Sequence, residues 1–326
     1  MKHLEGKVTL VTGATRGIGK GIAIGLGEAG AIVYITGRRL DNSHSSDDIS
    51  GSLSETKKAV EEVGGVCIPI QLDHSNDEQV RLLFDRIQDE QNGQLDLLVN
   101  NVYSGVQALG EAYGKPFWDS QPSLWDASNN VGLRSHYVAS IFAARIMSKR
   151  QQGLICTISS WGGMSYIFGA AYGAGKAACD RLAADMAIEL KPHHVASISI
   201  WPGIVGTEHI SQIASDLSAK NATNQTNSIL SDRYNWETPL LTGRVIAMLA
   251  GDANVIRRTG HVHIVAELAQ KYGLVDQDGS RPVSLRSLRF VIPFALPSLR
   301  KYSWLIPDFK VPWSLLLLTV LRSPKI

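Results

Sequence analysis

The sequence is poor in cysteine and carries almost no excess of charge of either sign. Its three cysteines, Cys67, Cys156 and Cys179, stand far apart in the chain. That number and spacing predict neither a disulfide framework nor a metal site, and they are typical of a protein from a reducing compartment. There are 32 lysines and arginines against 30 aspartates and glutamates, for a net charge of +2. We therefore expect no nucleic-acid partner.

Long apolar runs are also missing. The stretch "VPWSLLLLTVL" near the carboxyl terminus is shorter than the roughly 18 residues that a membrane-spanning helix needs. The opening "MKHLEGKVTLVTG" enters a predicted strand almost at once, which leaves no room for a cleavable signal peptide. We therefore expect a cytoplasmic protein, or one at the cytoplasmic face of the endoplasmic reticulum membrane.

Short apolar segments alternate with longer segments of helical periodicity along most of the chain. This alternation predicts a Rossmann-type α/β domain, in which helices cover both faces of a doubly wound, seven-stranded parallel sheet. We assign this domain to residues 1–270 and a basic, aromatic C-terminal extension to residues 271–326. A long helix is predicted over 125–149. The predicted strands are 7–11, 31–36, 66–72, 95–99, 154–159, 195–201 and 260–265.

The first predicted strand leads into the glycine-rich segment "TGATRGIG". Gly13 permits a tight turn, Gly17 lets the backbone approach a pyrophosphate, and Gly19 permits close packing of the next helix on the strand. The amino terminus of that helix faces the anion. Because the segment joins a strand to a helix, it predicts a dinucleotide-binding turn, in which Arg16 and Ile18 lie between the glycines.

The second predicted strand ends in "ITGRR". An NAD site usually has an acidic residue after this strand, which accepts hydrogen bonds from the ribose 2′-hydroxyl. Here no acid precedes Asp41. Arg38 and Arg39, together with Arg16, instead supply guanidinium groups that suit a 2′-phosphate. We therefore predict NADPH, or its oxidised form NADP, as the cofactor.

The stretch "AAYGAGKAACD" places Tyr172 four residues before Lys176, one turn of a helix apart. Tyrosine, with an ordinary pKa of about 10, is a weak acid at neutral pH, but a neighbouring ammonium favours its ionised form. The fifth strand ends in "TISSWGG", where a serine hydroxyl can polarise a substrate carbonyl. These groups beside a dinucleotide site suit hydride transfer to a carbonyl, followed by proton transfer to the alkoxide.

The segments "TGATRGIG", "LVNN", "ISS", "YGAGK" and "WPGIVGT" follow one another in the order found in short-chain dehydrogenases/reductases of the compact, single-domain branch. The chain resembles that family over about residues 5–268. The resemblance implies that Tyr172 is the proton donor, and that Lys176 lowers its pKa and grips the nicotinamide ribose. The carbonyl anchor is either Ser159 or Ser160; we choose Ser160, because strand register decides which hydroxyl faces the site.

The same resemblance assigns roles to residues that follow other strands. Asp73 is expected to contact the adenine end, Asn100 to sit along the cofactor, and Thr207 to lie near the nicotinamide carboxamide. The family also has an anchoring asparagine on the long helix. Both Asn129 and Asn130 fit that position, and we choose Asn130.

The chain departs from the family pattern after the fourth strand, where the usual "NNAG" reads "NNVY". Val102 and Tyr103 thus replace two small residues. The connection that follows is longer than usual. Its aromatic residues, Tyr103, Tyr113, Phe117 and Trp118, either roof an apolar substrate pocket or pack the loop onto the domain. A lipophilic carbonyl compound, such as a steroid, a retinoid or a xenobiotic, suits a pocket of that kind.

The C-terminal extension is basic, aromatic and interrupted by prolines. Over residues 285–326, which include Trp304 and Trp313, these features suit a segment that lies at a membrane surface. The alternative is that the extension packs on the domain, or against a second copy of the chain in a homo-oligomer.

We therefore predict an NADPH-dependent carbonyl reductase that transfers hydride to ketone or aldehyde groups of lipophilic substrates. One alternative is an NAD-linked alcohol dehydrogenase, which cofactor preference would distinguish. The other is a non-catalytic dinucleotide-binding protein that its tail recruits to membranes; the intact serine, tyrosine and lysine argue against it.

Overall fold

The computed structural model describes residues 2–41, 50–219 and 232–321. The strands are β1 Val8–Val11, β2 Ile32–Gly37, β3 Val66–Gln71, β4 Leu97–Asn100, β5 Gly153–Ile158, β6 Val195–Trp201, β7 Ile204–Val205, β8 Trp236–Glu237 and β9 Val262–Ile264. Seven of them form a parallel sheet in the order β3–β2–β1–β4–β5–β6–β9, and β7 pairs with β8 in a small second sheet. The seven predicted strands and their doubly wound arrangement are confirmed.

Helices cover both faces of the large sheet. The α-helices of the described residues are α1 Gly17–Glu28, α2 Leu53–Glu62, α3 Asp77–Glu90, α4 Val106–Ala112, α5 Ser123–Asn129, α6 Ser135–Arg150, α7 Ala170–Leu190, α8 Glu208–Ala219, α9 Pro239–Ala250, α10 Val265–Tyr272, α11 Leu288–Ala295 and α12 Trp313–Leu321. α1, α9 and α10 enclose one apolar core, while α3 and α6 enclose a second. β6 is buried at every position, as expected of a strand that helices cover on both faces.

Pro69 lies inside β3, which forms one edge of the sheet. Proline has no N–H to donate, so a sheet tolerates it where no hydrogen bond of the ladder is lost. The edge position therefore explains how the segment remains a strand despite its proline.

The single long helix predicted over 125–149 is wrong. α5 ends at Asn129, and the five residues before α6 include non-helical backbone at Val131 (φ −109°, ψ 95°) and Gly132 (φ 144°, ψ −19°). A β-carbon at residue 132 would collide with Cδ2 of Tyr103. The sequence pattern runs on through the break, because the ring that occupies this space belongs to a distant loop.

The C-terminal extension folds back on the domain. Arg286 donates through Nε and Nη2 to the carboxylate of Glu267 on α10, at 2.6 and 2.9 Å. The ring of Trp313 meets the ring of Trp201 on β6 edge-on, with the centroids 5.9 Å apart. These contacts anchor the extension beside the carboxyl end of β6. The last part of the predicted membrane-surface segment, residues 322–326, lies outside the described residues.

Some basic residues of the extension form hydrogen bonds or ion pairs within the protein. Arg289 Nε donates to the carbonyl oxygen of Ile306 at 2.8 Å, and Arg300 pairs with Asp232. The exposed surface of the extension is largely apolar, with Trp304 70% exposed. Within the described part of the chain, no helix combines the length and the apolar character that crossing a bilayer requires.

Candidate active site

The glycine-rich turn lies at the carboxyl edge of the sheet, between β1 and α1. Gly17 has a φ of +58°, a left-handed conformation that glycine adopts without strain. A β-carbon at Gly19 would collide with the carbonyl oxygen of Gly13, so α1 can approach the turn only with glycine there. Asn101 Nδ2 donates to the carbonyl oxygens of Thr12 (2.9 Å) and Gly13 (2.8 Å). The sequence analysis missed Asn101, which fixes the turn from the end of β4.

An acidic side chain occupies the start of α1. Glu208 Oε2 accepts a hydrogen bond from the backbone N–H of Gly17 at 2.9 Å, and the Cγ2 methyl of the adjacent Thr207 lies 3.4 Å from the position of a β-carbon at Gly17. Arg16 precedes the helix with an extended backbone, and Ile18 packs half-buried against the core. The bound carboxylate indicates that the turn accommodates an anion, as a dinucleotide pyrophosphate requires.

Two of the residues predicted for the adenosine end come together. Arg38 and Asp73 line one open cavity of about 590 Å³ along the outer edge of β3. The carbonyl oxygen of Arg38 accepts a hydrogen bond from Gln71 Nε2 at 2.9 Å, while its side chain is exposed. Arg39 is half-buried, and its carbonyl oxygen accepts from the N–H of Leu53 at 3.0 Å. The loop that carries both arginines is thus tied to β3 and to α2.

The carboxylate of Asp73 is suited to accept hydrogen bonds. Burial acts to raise the pKa of its carboxyl, but hydrogen bonds from the N–H and hydroxyl of Ser75, both 2.8 Å, and the charge of Arg38 hold that pKa below its ordinary value. The adjacent His74 is 3% exposed, and its Nε2 lies 2.7 Å from Thr36 Oγ1. Burial lowers the pKa of His74 to about 4, so the imidazole is neutral at neutral pH. The sequence analysis did not single out His74.

Tyr172 and Lys176 lie together on α7, as their spacing predicts. Lys176 Nζ is 5.9 Å from the centroid of the Tyr172 ring and 5.1 Å from that of Tyr103. The lysine is 7% exposed, and its Nζ donates to the carbonyl oxygen of Ile158 at 3.1 Å. The ammonium is therefore fixed at the carboxyl end of β5, beside the phenol.

The hydroxyl groups of the two serines after β5 make different hydrogen bonds. Ser159 Oγ is buried and donates to the carbonyl oxygen of Lys176 at 3.0 Å. Ser160 Oγ accepts from the N–H of Gly162 at 3.0 Å. A β-carbon at Gly162 would lie 3.3 Å from Ser160 Oγ and 2.6 Å from Cε1 of Tyr172, so both groups border the same small space. The geometry favours Ser160 as the hydroxyl beside the tyrosine.

The two candidate asparagines also lie in different surroundings. Asn130 is exposed at the start of the break before α6. Asn129 is 5% exposed, and its Nδ2 donates to the carbonyl oxygen of Ala171 on α7 at 3.3 Å. A β-carbon at Gly175 would collide with Asn129 Oδ1. Asn129 thus ties α5 to α7, while Asn130 begins the break, and Asn130 as the anchoring asparagine stays a prediction.

The side chain of Asn100 is hydrogen-bonded within the domain. Its side chain is fully buried at the end of β4, and Nδ2 donates to Ser140 Oγ on α6 at 2.9 Å. Its amide group thus ties β4 to α6 instead of facing the turn. Successive side chains of a strand point to opposite faces, and the next residue, Asn101, is the one that reaches the turn.

An aromatic wall borders the tyrosine. Phe168 has a φ of +57°, a conformation that a bulky residue adopts only where its surroundings enforce it. Its ring meets the ring of Tyr172 at 5.4 Å and that of Tyr113 at 6.4 Å between centroids. Phe117 and Trp118 are 69% and 73% exposed. The described loop thus contributes Tyr113 to this wall, and Phe168, which the sequence analysis missed, joins it.

A buried carboxyl lies beyond the end of β6. Glu237 Oε2 accepts from the N–H of Gly203 at 2.9 Å. Burial raises the pKa of Glu237 to about 7, against the lowering effect of the Gly203 N–H, and the charge of Asp276 adds to the rise. Nothing in the local sequence marks this residue, since its partners come from two other segments.

Comparison with known proteins agrees with this geometry. A family model described as short chain dehydrogenase matches residues 7–218. Dehydrogenase/reductase SDR family member 1 of Mus musculus is 42% identical over 316 residues, which is 95% of each chain. The protein of the same description from Homo sapiens is 45% identical over 282 residues, 86% of each chain. A match of 316 residues has to include most of the C-terminal extension.

Solved structures match the domain as well. A metagenomic short-chain oxidoreductase in complex with NADP is 27% identical, with a TM-score of 0.61 over 80% of this chain and 97% of that one. A putative short-chain alcohol dehydrogenase from Sinorhizobium meliloti 1021 is 25% identical, with a TM-score of 0.63 over 80% of this chain and 95% of that one.

Proposed function

The chain belongs to the short-chain dehydrogenase family of oxidoreductases, and from that membership we propose that it is an NADPH-dependent carbonyl reductase of lipophilic ketones or aldehydes. The observation that carries the proposal is the convergence of Ser160, Tyr172 and Lys176, at the same carboxyl edge of the parallel sheet as the glycine-rich turn. Doubly wound sheets bind their ligands at this carboxyl edge.

Each of the three side chains has a task in such a reduction. A nicotinamide cofactor held at this edge would supply a hydride to the carbonyl carbon. Ser160 donates a hydrogen bond to the carbonyl oxygen and stabilises the charge that develops there. Tyr172 gives its phenolic proton to the same oxygen as a general acid. Lys176 stabilises the phenolate that remains, because an adjacent positive charge favours the ionised form.

The choice of NADPH rests on charge at the end of β2. Arg38 and Arg39 follow this strand, and no acid stands before Asp41. A guanidinium group pairs with a phosphate through two parallel hydrogen bonds. The metagenomic oxidoreductase was solved with NADP, which supports the same choice.

Titration of the purified protein with NADPH and with NADH, followed by nicotinamide fluorescence, tests the cofactor. We expect NADPH to bind about tenfold or more tightly, because hydrogen bonds to charged groups contribute about 1.5–3 kcal/mol. Preferential binding of NADH would redirect the search to NAD-linked alcohol oxidation. Binding of neither dinucleotide would favour a non-catalytic protein.

The proposal of a lipophilic substrate rests on the aromatic wall of Tyr113 and Phe168 beside Tyr172. Ligand pockets are lined mainly by apolar and aromatic side chains, with few polar groups to fix orientation. We expect kcat/KM for NADPH oxidation to rise along a series from small ketones to steroid or aromatic ketones. Faster turnover of small polar carbonyl compounds would contradict this substrate class.

We also propose that the C-terminal extension holds the protein at a membrane surface. Trp304, Leu305 and Phe309 are 70%, 61% and 59% exposed, and tryptophan favours the membrane interface. Sedimentation with vesicles of phosphatidylcholine and phosphatidylserine measures the binding. Trp304→Ser should weaken it, whereas Trp118→Ser, which removes an equally exposed tryptophan of the domain, should not. Equal binding by both variants and the wild type would contradict the proposal.

A further inference from the structure

We propose that Tyr103 is a positioning residue, whose ring face holds the ammonium of Lys176 beside the proton donor Tyr172. This inference rests on the proposed reductase function. Tyr103 stands where the family pattern has a small residue, two positions after Asn101, whose side chain reaches the glycine-rich turn. It therefore distinguishes this chain from the common form of the site.

The geometry joins the three side chains. Lys176 Nζ lies 5.1 Å from the centroid of the Tyr103 ring, within the roughly 6 Å over which an aromatic face attracts a cation. The rings of Tyr103 and Tyr172 meet edge-on, with the centroids 6.1 Å apart and the planes at 84°. Because Lys176 is 7% exposed, little water screens the attraction. The ring of Tyr103 thus borders the ammonium and the phenol at once.

Two glycines make room for this ring. A β-carbon at Gly132 would collide with Cδ2 of Tyr103, and one at Gly105 would lie 2.7 Å from its hydroxyl oxygen. Gly132 is also the residue at φ 144° in the break between α5 and α6. The position of the ring is therefore defined from both sides by backbone that cannot carry a larger residue.

The ring, and not the hydroxyl, makes the contact with Lys176. The Tyr103 hydroxyl faces that of Ser128, although the pair does not reach hydrogen-bond geometry. Burial raises the pKa of the Tyr103 phenol, so it stays neutral. His136 and Cys179 lie in the same region and are held neutral by burial, which lowers the pKa of His136 to about 3 and raises that of Cys179. Neither competes with the aromatic face for the ammonium.

The lysine has three N–H donors. One is used by the carbonyl oxygen of Ile158, and the face of Tyr103 occupies a second direction. These two contacts restrict the orientation of the Lys176 ammonium group beside Tyr172. Without the ring, the ammonium gains space and water, and its effect on the phenol weakens.

Three variants separate the ring from the hydroxyl and from simple packing. Tyr103→Phe keeps the ring. Replacement of Tyr103 by trifluorinated phenylalanine keeps the shape but withdraws electron density from the ring face, and Tyr103→Leu removes the ring. We expect kcat of the Phe variant to stay within about twofold of wild type, and kcat of the other two to fall by about three- to thirtyfold. Tyr34→Leu, which truncates a fully buried tyrosine of β2, serves as the packing control, with lower stability but unchanged kcat.

A second measurement needs no catalytic activity. Acetic anhydride labels lysine amines, and mass spectrometry gives the rate for Lys176. We expect severalfold faster labelling in Tyr103→Leu, and wild-type rates in Tyr103→Phe and Tyr34→Leu. If the wild type reduces no carbonyl compound, the reductase proposal fails, while the labelling still decides whether Tyr103 holds the lysine.

Either of two results overturns the inference. One is a kcat within about twofold of wild type in both the fluorinated and the leucine variants. The other is a Tyr103→Phe variant as impaired as Tyr103→Leu, which would assign the effect to the hydroxyl. If Tyr103→Leu does not fold, the fluorinated variant, which preserves packing, decides the question through kcat.

Discussion

The two ends of the proposed cofactor site are built differently. At the nicotinamide end, Lys176 is 7% exposed and is held by Ile158 and the ring of Tyr103. At the adenosine end, Arg38 is exposed and borders an open cavity with Asp73. Charges act strongly where water is excluded and are screened where it is not. Packing therefore fixes the chemistry at one end, whereas cofactor choice at the other depends on side chains that can change with little effect on the fold.

The largest effect is expected at the buried end. Tyr172→Phe removes the phenolic proton, and loss of a general acid typically costs about 10²–10⁴ in rate. NADPH affinity, measured by fluorescence, should be largely retained. Tyr166→Phe, at a tyrosine that is 84% exposed, is the matched control and should keep full activity. Reduction at near wild-type rate by Tyr172→Phe would show that the proton comes from elsewhere.

Glu237, beyond β6, should make folding stability depend on pH. Burial raises its pKa to about 7 from 4.5. The folded state thus binds a proton that the unfolded state releases, and this contribution is present below pH 4.5 and lost as pH rises through 7. The loss reaches about 3 kcal/mol above pH 7. Glu237→Gln should therefore gain stability relative to wild type between pH 5 and pH 8 in urea unfolding. A constant difference across that range would contradict the assignment.

His74, at the adenosine end, should give folding stability the opposite dependence on pH. Burial lowers its pKa to about 4 from 6.5, so its contribution is present above pH 6.5 and lost as pH falls towards 4. At pH 5 the loss is about 2 kcal/mol. His74→Gln should reduce the difference in unfolding free energy between pH 7.5 and pH 5 by that amount. His136 acts with the same sign and remains in the variant, so the pH dependence should shrink without vanishing.

Sequence alone predicts the parts of this site that depend on neighbours in the chain. Tyr172 and Lys176 come together because four residues make one helical turn, and the glycine-rich turn follows from a strand, a loop and a helix in sequence. The seven strands are predicted for the same reason, since runs of apolar residues are local. Each of these features can be predicted from a short segment of the sequence.

The features that sequence misses are set by distant residues. Gly132 breaks the predicted helix because the ring of Tyr103 fills the space beside it, and this break decides that Asn129, not Asn130, faces α7. In the basic C-terminal extension, the sequence suggests that Arg286 is an exposed cation. In the fold, however, it pairs with Glu267 of the domain. Such pairings depend on which distant segments the fold brings together, and the local hydrophobic pattern of the sequence carries no information about them.

A smaller effect is expected from Arg38 at the exposed end. Arg38→Ala should weaken NADPH binding by about three- to tenfold, less than a buried contact would cost, because solvent screens an exposed charge. NADH binding should not change, since it lacks the 2′-phosphate. Arg81→Ala, at an arginine on α3 that is 41% exposed, controls for the loss of surface charge. Equal weakening for both dinucleotides would remove Arg38 from the recognition of that phosphate.

The smallest change in cofactor affinity is expected from Glu208, which contacts the glycine-rich turn between the two ends of the site. Glu208 accepts the N–H of Gly17 at 2.9 Å, the group that a pyrophosphate would use, and its negative charge repels the incoming anion. Glu208→Gln should therefore tighten binding by about two- to fivefold. Unlike Arg38→Ala, it should affect NADPH and NADH alike, because both carry the pyrophosphate. Weaker binding by Glu208→Gln would instead mean that the carboxylate helps to hold α8 over the bound cofactor.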